Sequence, residues 1–445
     1  MMRTTFRFII AATAVLPSLG FAQQRPPIRQ LGAVVAKSSD AFTSISGIRA
    51  LSDGRVLVND VSGRRLVLYD ALLGTATLVA DSTSATATAY AGRTGGLIPF
   101  RGDSSIFVDP SSMSMLIVDG AGKIARVMSV PRTQDVQMLA GQFSTSVGFD
   151  PRGRLVYRAP PNFRGGGFGP GGPGGGGGFR APEFPDSLPI VRVDLATRQV
   201  DTIAYGKIPK VKLDIVQNEG RISVTTQINP LPTVDDFVML PDGTVALVRG
   251  SDYHVDFYNT DGTKVSAPKI AFDWQRLTDD EKVAFIDSVK ANRARQLAAT
   301  PAPTGGAAVG GGAGAGGGGG GGGGPQIQVF GDGGGGRRPG AGAGGGGGGG
   351  PQINFVSPSE LPDYKPAFFA GSTKVDAAGN LWIRTIPTKK VDGGPVYDVV
   401  NRKGELIDRV QVPLNSSVTG FGSDGSVFLA LQNNSTFYLE KAKLR

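Results

Sequence analysis

The chain has 445 residues, a formal charge of +9 at neutral pH, 68 glycines, 30 prolines, one histidine and no cysteine. The missing cysteines exclude a disulfide framework, cysteine–zinc sites, thiol nucleophiles and a lipid-modified cysteine anchor. A single histidine, His254, excludes metal sites that need two imidazoles and leaves Ser-His-Asp chemistry one possible base.

The N-terminus opens with Arg3 and Arg7, continues through an apolar run from Phe8 to Leu16, and reaches small residues at Gly20 and Ala22. A basic start, a short apolar stretch and a small-x-small site predict a signal peptide over residues 1–22, cleaved after Ala22. The run is shorter than the roughly 20 apolar residues a bilayer span needs. The expectation is a mature chain without a transmembrane segment, periplasmic or secreted.

Beyond residue 22 the chain is repetitive. Six segments share one grammar of apolar strand, tight polar turn and alternating strand: Gly47–Gly54 before Arg55–Val58, Leu97–Asp103 before Ser105–Val108, Val147–Gly153 before Arg154–Tyr157, Asp236–Gly243 before Thr244–Leu247, Lys374–Gly379 before Asn380–Ile383, and Thr419–Gly425 before Ser426–Leu429. Asp-Gly between apolar strands is a strong hairpin signal, because the tight turn demands a positive φ. Each hairpin leads into a third alternating strand: Leu66–Tyr69, Met115–Val118, Ile190–Val193, Val255–Tyr258, Val396–Val400 and Thr436–Leu439. Fourth strands are expected at Ala76–Ala80, Gln199–Ala204 and Glu405–Val412. Four antiparallel strands per repeat of roughly 45 residues predict propeller blades. The last repeat stops after its third strand, and Ile28–Val35 is expected to supply the fourth and close the ring.

Two elements interrupt the repeat. Residues 165–178 and 305–350 hold 11 and 29 of the 68 glycines, without a Gly-X-Y period. The first belongs to an expected exposed loop over 163–181, within the third repeat. The second lies in an insert over 300–352 that cannot bury enough apolar surface to offset its ordering entropy and is expected to be disordered. Between the fourth and fifth repeats, Thr278 and Glu281 form a capping box. They open a predicted helix over 278–298 whose apolar face is Val283, Phe285, Ile286 and Val289, laid across a rim of the propeller.

These repeats resemble the six-bladed β-propellers of the NHL-like and TolB-like superfamily, with the Asp-Gly hairpins and Gly379–Ile383 carrying the likeness over nearly all of the mature chain. The resemblance implies an all-β six-bladed propeller, exported, acting as a binding scaffold or as a calcium-dependent hydrolase. Zinc chemistry of the related amidating lyases needs more than the one histidine present.

Propellers place ligands at the central channel or on the loops of one face. The candidate channel residues begin the innermost strands: Ser44, Ser46, Ser144, Ser146, Asp235, Asp236, Ser372, Thr373, Ser417 and Thr419, with Ser46, Ser146, Asp235, Asp236, Thr373 and Thr419 foremost. They are mostly hydroxyls, whereas calcium takes about six to eight oxygen ligands. The chain holds only six glutamates, none at these positions. His254 shares a strand face with Asp256 and Tyr258 and reads as a structural histidine. The RGG-like Arg164–Phe168 and the Arg337-Arg338 pair do not argue for nucleic acid in an exported chain, and Arg101-Gly102-Asp103 is a plain hairpin turn. The sequence thus predicts a monomeric binding module without cofactor, for an envelope or extracellular protein, peptide or carbohydrate. A calcium-dependent lactonase- or esterase-like hydrolase is the alternative.

Overall fold

The computed structural model describes residues 25–82, 90, 92, 95–141, 146–161, 184–218, 221–299, 353–389 and 391–444. Residues 1–22, expected above to be a signal peptide, Ser144 and both glycine-rich segments, 163–181 and 300–352, lie outside the described residues.

Among the described residues, the repeats become six antiparallel meanders of four strands each. Their inner strands are Gly47–Ala50, Gly96–Pro99, Gly148–Phe149, Asp236–Met239, Phe368–Val375 and Ser416–Phe421. Successive inner strands are neighbours, and the last returns to the first. The strand next to each inner strand is apolar on both sides: Val56, Leu57 and Val58 are all at most 2 % exposed. Alternating residues therefore face different neighbours. Val56 and Val58 join a cluster with Phe428 and Leu439 of the sixth meander, while Leu57 joins one with Phe107 and Leu116 of the second. The same division recurs around the molecule, giving one apolar wedge between each pair of adjacent sheets. This is a nearly all-β, propeller-type fold.

Chain direction sorts the connections. Each inner strand is entered, and each outer strand left, on one rim, here called the loop face. Connections 130–147, 208–235 and 267–367 begin and end there, as does the 159–186 segment. The opposite turn face carries short turns. Asp70, Asp119, Asp150, Asp194, Asp376 and Asn401 open six of them, each accepting backbone N–H groups from two to five residues ahead. Gly243 illustrates the glycine requirement: its φ is +83°, and a Cβ would lie 2.3 Å from Pro151 of the neighbouring turn.

Ring closure departs from the expected single strand. Val34–Lys37 pairs antiparallel with Thr436–Ala442 and completes the last meander. Ile28–Gln30 instead runs parallel to Leu406–Gln411, adding a fifth strand to the fifth sheet. The break between them is Leu31, 7 % exposed, which turns into the wedge with Trp382, Val410 and Leu429 while its N–H donates to Gln411 O at 2.9 Å.

The inserted helix spans Asp279–Ala299. Its capping box is formed: the Thr278 N–H donates to Glu281 Oε2 at 2.8 Å, and the Glu281 N–H donates back to Thr278 Oγ1 at 3.3 Å. Ile286 and Val289 are buried, with Ile286 against Leu231, Val356 and Leu361 on the loop face. Val283 is 46 % exposed and so is not part of the docked face as expected; Lys282 takes that place, its ammonium donating to Asp363 at 2.9 Å. The repeat grammar does not account for one hairpin. Lys212–Asn218 pairs with Arg221–Ile228, and Ile353–Phe355 adds a parallel third strand. Among the described residues, no helix is long and apolar enough to cross a membrane.

Leu31→Ala is expected to cost about 2–4 kcal/mol, read as a fall in the denaturant midpoint. Val35→Ala, on the 49 % exposed side of the closing strand, should stay within about 0.5 kcal/mol. Equal effects would contradict a closure anchored at Leu31.

Candidate functional site

The foremost channel residues stand in or close to inner strands. Ser46 Oγ donates to Asn59 O at 3.0 Å within its own meander. Ser146 and Thr419 are half-buried at separate inner strands. Ser44 gives both its N–H and its Oγ to Asp60, and Ser372 Oγ accepts the Phe369 N–H. Ser417 is half-buried on the same strand as Thr419. Asp236 and Thr373 are in direct contact: the Thr373 N–H donates to Asp236 Oδ2 at 2.9 Å across the fourth and fifth sheets. Asp236 is 4 % exposed. Burial pushes its carboxyl up, opposed by the Thr373 amide and the nearby Arg158 charge.

Asp235 points the other way, as adjacent strand residues must. It is 2 % exposed, and its carboxylate is fully engaged. Oδ1 accepts the Gly250 N–H at 3.0 Å; Oδ2 accepts the Lys207 N–H at 3.0 Å and Arg249 Nη1 at 2.9 Å. These donors tie the end of the third sheet to the fourth. The pattern does not suit calcium, which needs several free oxygens. Among the described residues, no three His, Asp or Glu side chains converge as a metal site.

Asp235 instead forms the floor of a cleft of about 330 Å³ on the loop face, between the third and fourth sheets. One wall is Ser187, Tyr205 and Lys207. Register pairs Ser187 with Lys207 and Pro189 with Tyr205, so the two residues of the outer strand share a face. Tyr205 is 60 % exposed. Among the described residues, the Lys207 ammonium has no ion pair. The other wall is Arg249, Ser251, Asp252 and His254.

This second wall is internally paired. Arg249 Nε donates to Asp256 Oδ2 at 2.8 Å and Nη1 to Tyr205 O at 3.0 Å. His254 Nδ1 lies 2.6 Å from Asp252 Oδ1, and Nε2 lies 3.4 Å from Asp256 Oδ1. With both ring nitrogens against carboxylates, His254 has neither one turned to a serine hydroxyl. Among the described residues no hydroxyl is hydrogen-bonded to the His254 ring. Burial pushes the Asp256 carboxyl up, but the Ser266 hydroxyl, Arg249 and Lys264 outweigh it and hold the group at about 2. Asp252 is also lowered, with His254 and Lys269 overcoming its burial.

The sequence points to Asp235 and His254 but gives no notice of Tyr205, Lys207 and Arg249. An outward aromatic and a lysine two apart on an outer strand were the available signal, but the facing wall comes from more than forty residues later.

No family model matches the sequence, and no curated protein matches it. Solved structures that resemble the chain include regucalcin, a calcium-binding protein of Agrobacterium tumefaciens, at 10 % identity and a TM-score of 0.39, covering 94 % of this chain and 98 % of that one. A candidate gluconolactonase shares 12 % identity at a TM-score of 0.40, covering 95 % of this chain and 98 % of that one. A catalytically inactive variant of virginiamycin B lyase from Staphylococcus aureus, with quinupristin, shares 10 % identity at 0.36, covering 94 % and 99 %. Likeness this loose assigns no function.

The Asp256 pairing gives a pH prediction. Its folded value of about 2 lies below the roughly 3.9 of an unfolded aspartate. The stabilisation is therefore present above about pH 4 and is lost as pH falls toward 2. Asp256→Asn should be less stable than wild type at pH 6, with the gap narrowing by pH 2.5 in denaturant titrations. A gap that does not change with pH contradicts the pairing.

Proposed function

We propose that the chain is an exported six-bladed β-propeller that binds a carbohydrate of the envelope or extracellular space in the loop-face cleft. The observation that carries this reading is the composition of the two cleft walls. An exposed Tyr205 ring offers an apolar platform for the C–H face of a sugar, with the Lys207 ammonium and Ser187 hydroxyl at its edge. Opposite, the Arg249, Asp252 and His254 side chains are fixed by one another and by Asp256, and present preset donors and acceptors to neighbouring hydroxyls. Preset groups limit the ordering cost of binding. The acids and histidine of the cleft pair with one another, which suits fixed recognition groups. Export rests on the pattern of residues 1–22.

Isothermal titration with soluble envelope oligosaccharides tests the reading. Tyr205→Ala is expected to weaken binding roughly tenfold or more, the effect of losing a central aromatic anchor, while melting is unchanged because the ring is exposed. Binding equal to wild type would move the ligand elsewhere. Retrieval of an envelope protein or peptide whose capture is insensitive to Tyr205→Ala would do the same.

A hydrolase is the second reading, favoured by one feature. The Asp236 carboxyl is buried at the start of an inner strand, and that burial pushes it up. Turnover on a panel of lactones and esters, with and without calcium, decides it. The hydrolase reading expects activity abolished in Asp236→Asn; no turnover by the wild type removes it.

A further inference from the structure

The turn face holds an arginine whose charge the protein does not fully answer. Arg192 sits in the third strand of the third meander between the buried Val191 and Val193, and is itself 8 % exposed. Among the described residues its one ion pair is shared. Arg154 Nε donates to Asp150 Oδ2 at 2.9 Å with its Nη2 2.8 Å from that oxygen, and Arg192 Nε lies 3.2 Å from the same oxygen. The other Asp150 oxygen is taken by the backbone N–H groups of Arg152 and Arg154, at 3.0 and 2.9 Å. One carboxylate therefore serves two guanidinium groups and two amides. Arg192 Nη2 is buried and donates to nothing among the described residues. Asp201, opposite Arg192 on the outer strand, is exposed and forms no ion pair with it.

A buried guanidinium keeps its proton, and unanswered buried charge is costly. Burial and the charges of Arg154 and Arg152 all act against the charged form of Arg192, with Asp150 and Asp201 opposing them. The group short of acceptors is a planar fork, whose complement is an oxyanion with several oxygens.

We propose that Arg192 and Arg154, with the exposed Arg152 at the mouth, form a phosphate-binding site on the turn face. The ligand is a phosphate group, either free or as a phospholipid headgroup. The site lies on the rim opposite the carbohydrate cleft and does not depend on that reading.

The test titrates the full mature chain with inorganic phosphate at constant ionic strength by isothermal titration. A parallel arm measures co-sedimentation with phosphatidylglycerol vesicles. Arg192→Met keeps the length and removes the fork; Arg152→Ala alters only an exposed residue and guards against misfolding. The expected result is binding weakened roughly tenfold by Arg192→Met and a few-fold by Arg152→Ala. Binding of free phosphate identifies a soluble ligand. Binding to vesicles alone, lost in the same variants, identifies the headgroup. Binding of neither probe, or binding unchanged in both variants, overturns the site. It is also overturned if Asp201→Asn alone lowers the melting temperature as much as Arg192→Met, because Asp201 is then the counter-charge.

Discussion

Every meander in this protein has two apolar faces, and the closed ring is the consequence. A sheet wet on one side could end a stack. A sheet whose second strand reads Val56-Leu57-Val58, with alternate residues committed to different wedges, must have a neighbour on each side. Six such sheets satisfy one another only when the last packs against the first. Buried polar contacts then fix how neighbouring elements meet. The Tyr253 hydroxyl donates to the buried Asp398 across the fourth and fifth sheets, and Tyr157 donates to Asp135 between the second and third. Such contacts specify one arrangement among many apolar ones, because displacing either partner leaves a buried polar atom unpaired.

Once the ring is fixed, chain direction decides where function can be built. The turn face is closed by short Asx turns that repeat the same local hydrogen bonds. The loop face receives the longer connections, including the docked helix and the extra hairpin. Insertions there leave the wedges intact, so binding chemistry can be added without a penalty in the core. The cleft lies on this face. Its floor, Asp235, is a structural link between two sheets, and its walls are the ends of strands already held in register. A ligand would meet a surface ordered before binding.

Much of the architecture was legible in the sequence because it depends on local signals. Turn residues, alternating strands and the Thr278–Glu281 capping box each act over a few residues and appear where expected. The errors involve longer-range choices. Ile28–Val35 reads as one continuous strand, but the wedge beside Trp382 captures Leu31 and divides it between two sheets. Val283 fits a helical stripe by spacing, yet the surface beneath the helix selects Lys282 through Asp363. The site was less legible still. Asp235 stands out as an acid at an inner-strand start, but its donors come from Lys207, Arg249 and Gly250 on two sheets. Tyr205 and Lys207 look like ordinary outer-strand residues until the fourth sheet is placed beside them.

Hydrogen–deuterium exchange of the mature chain with and without a bound envelope oligosaccharide bears most directly on a ligand site at the loop face. Protection is predicted in the segments around 203–208 and 249–255, which form the two walls, with the turn-face segments around 51–55 and 376–380 unchanged. Protection confined to those turns, with the cleft segments unaffected, would contradict a loop-face binding site.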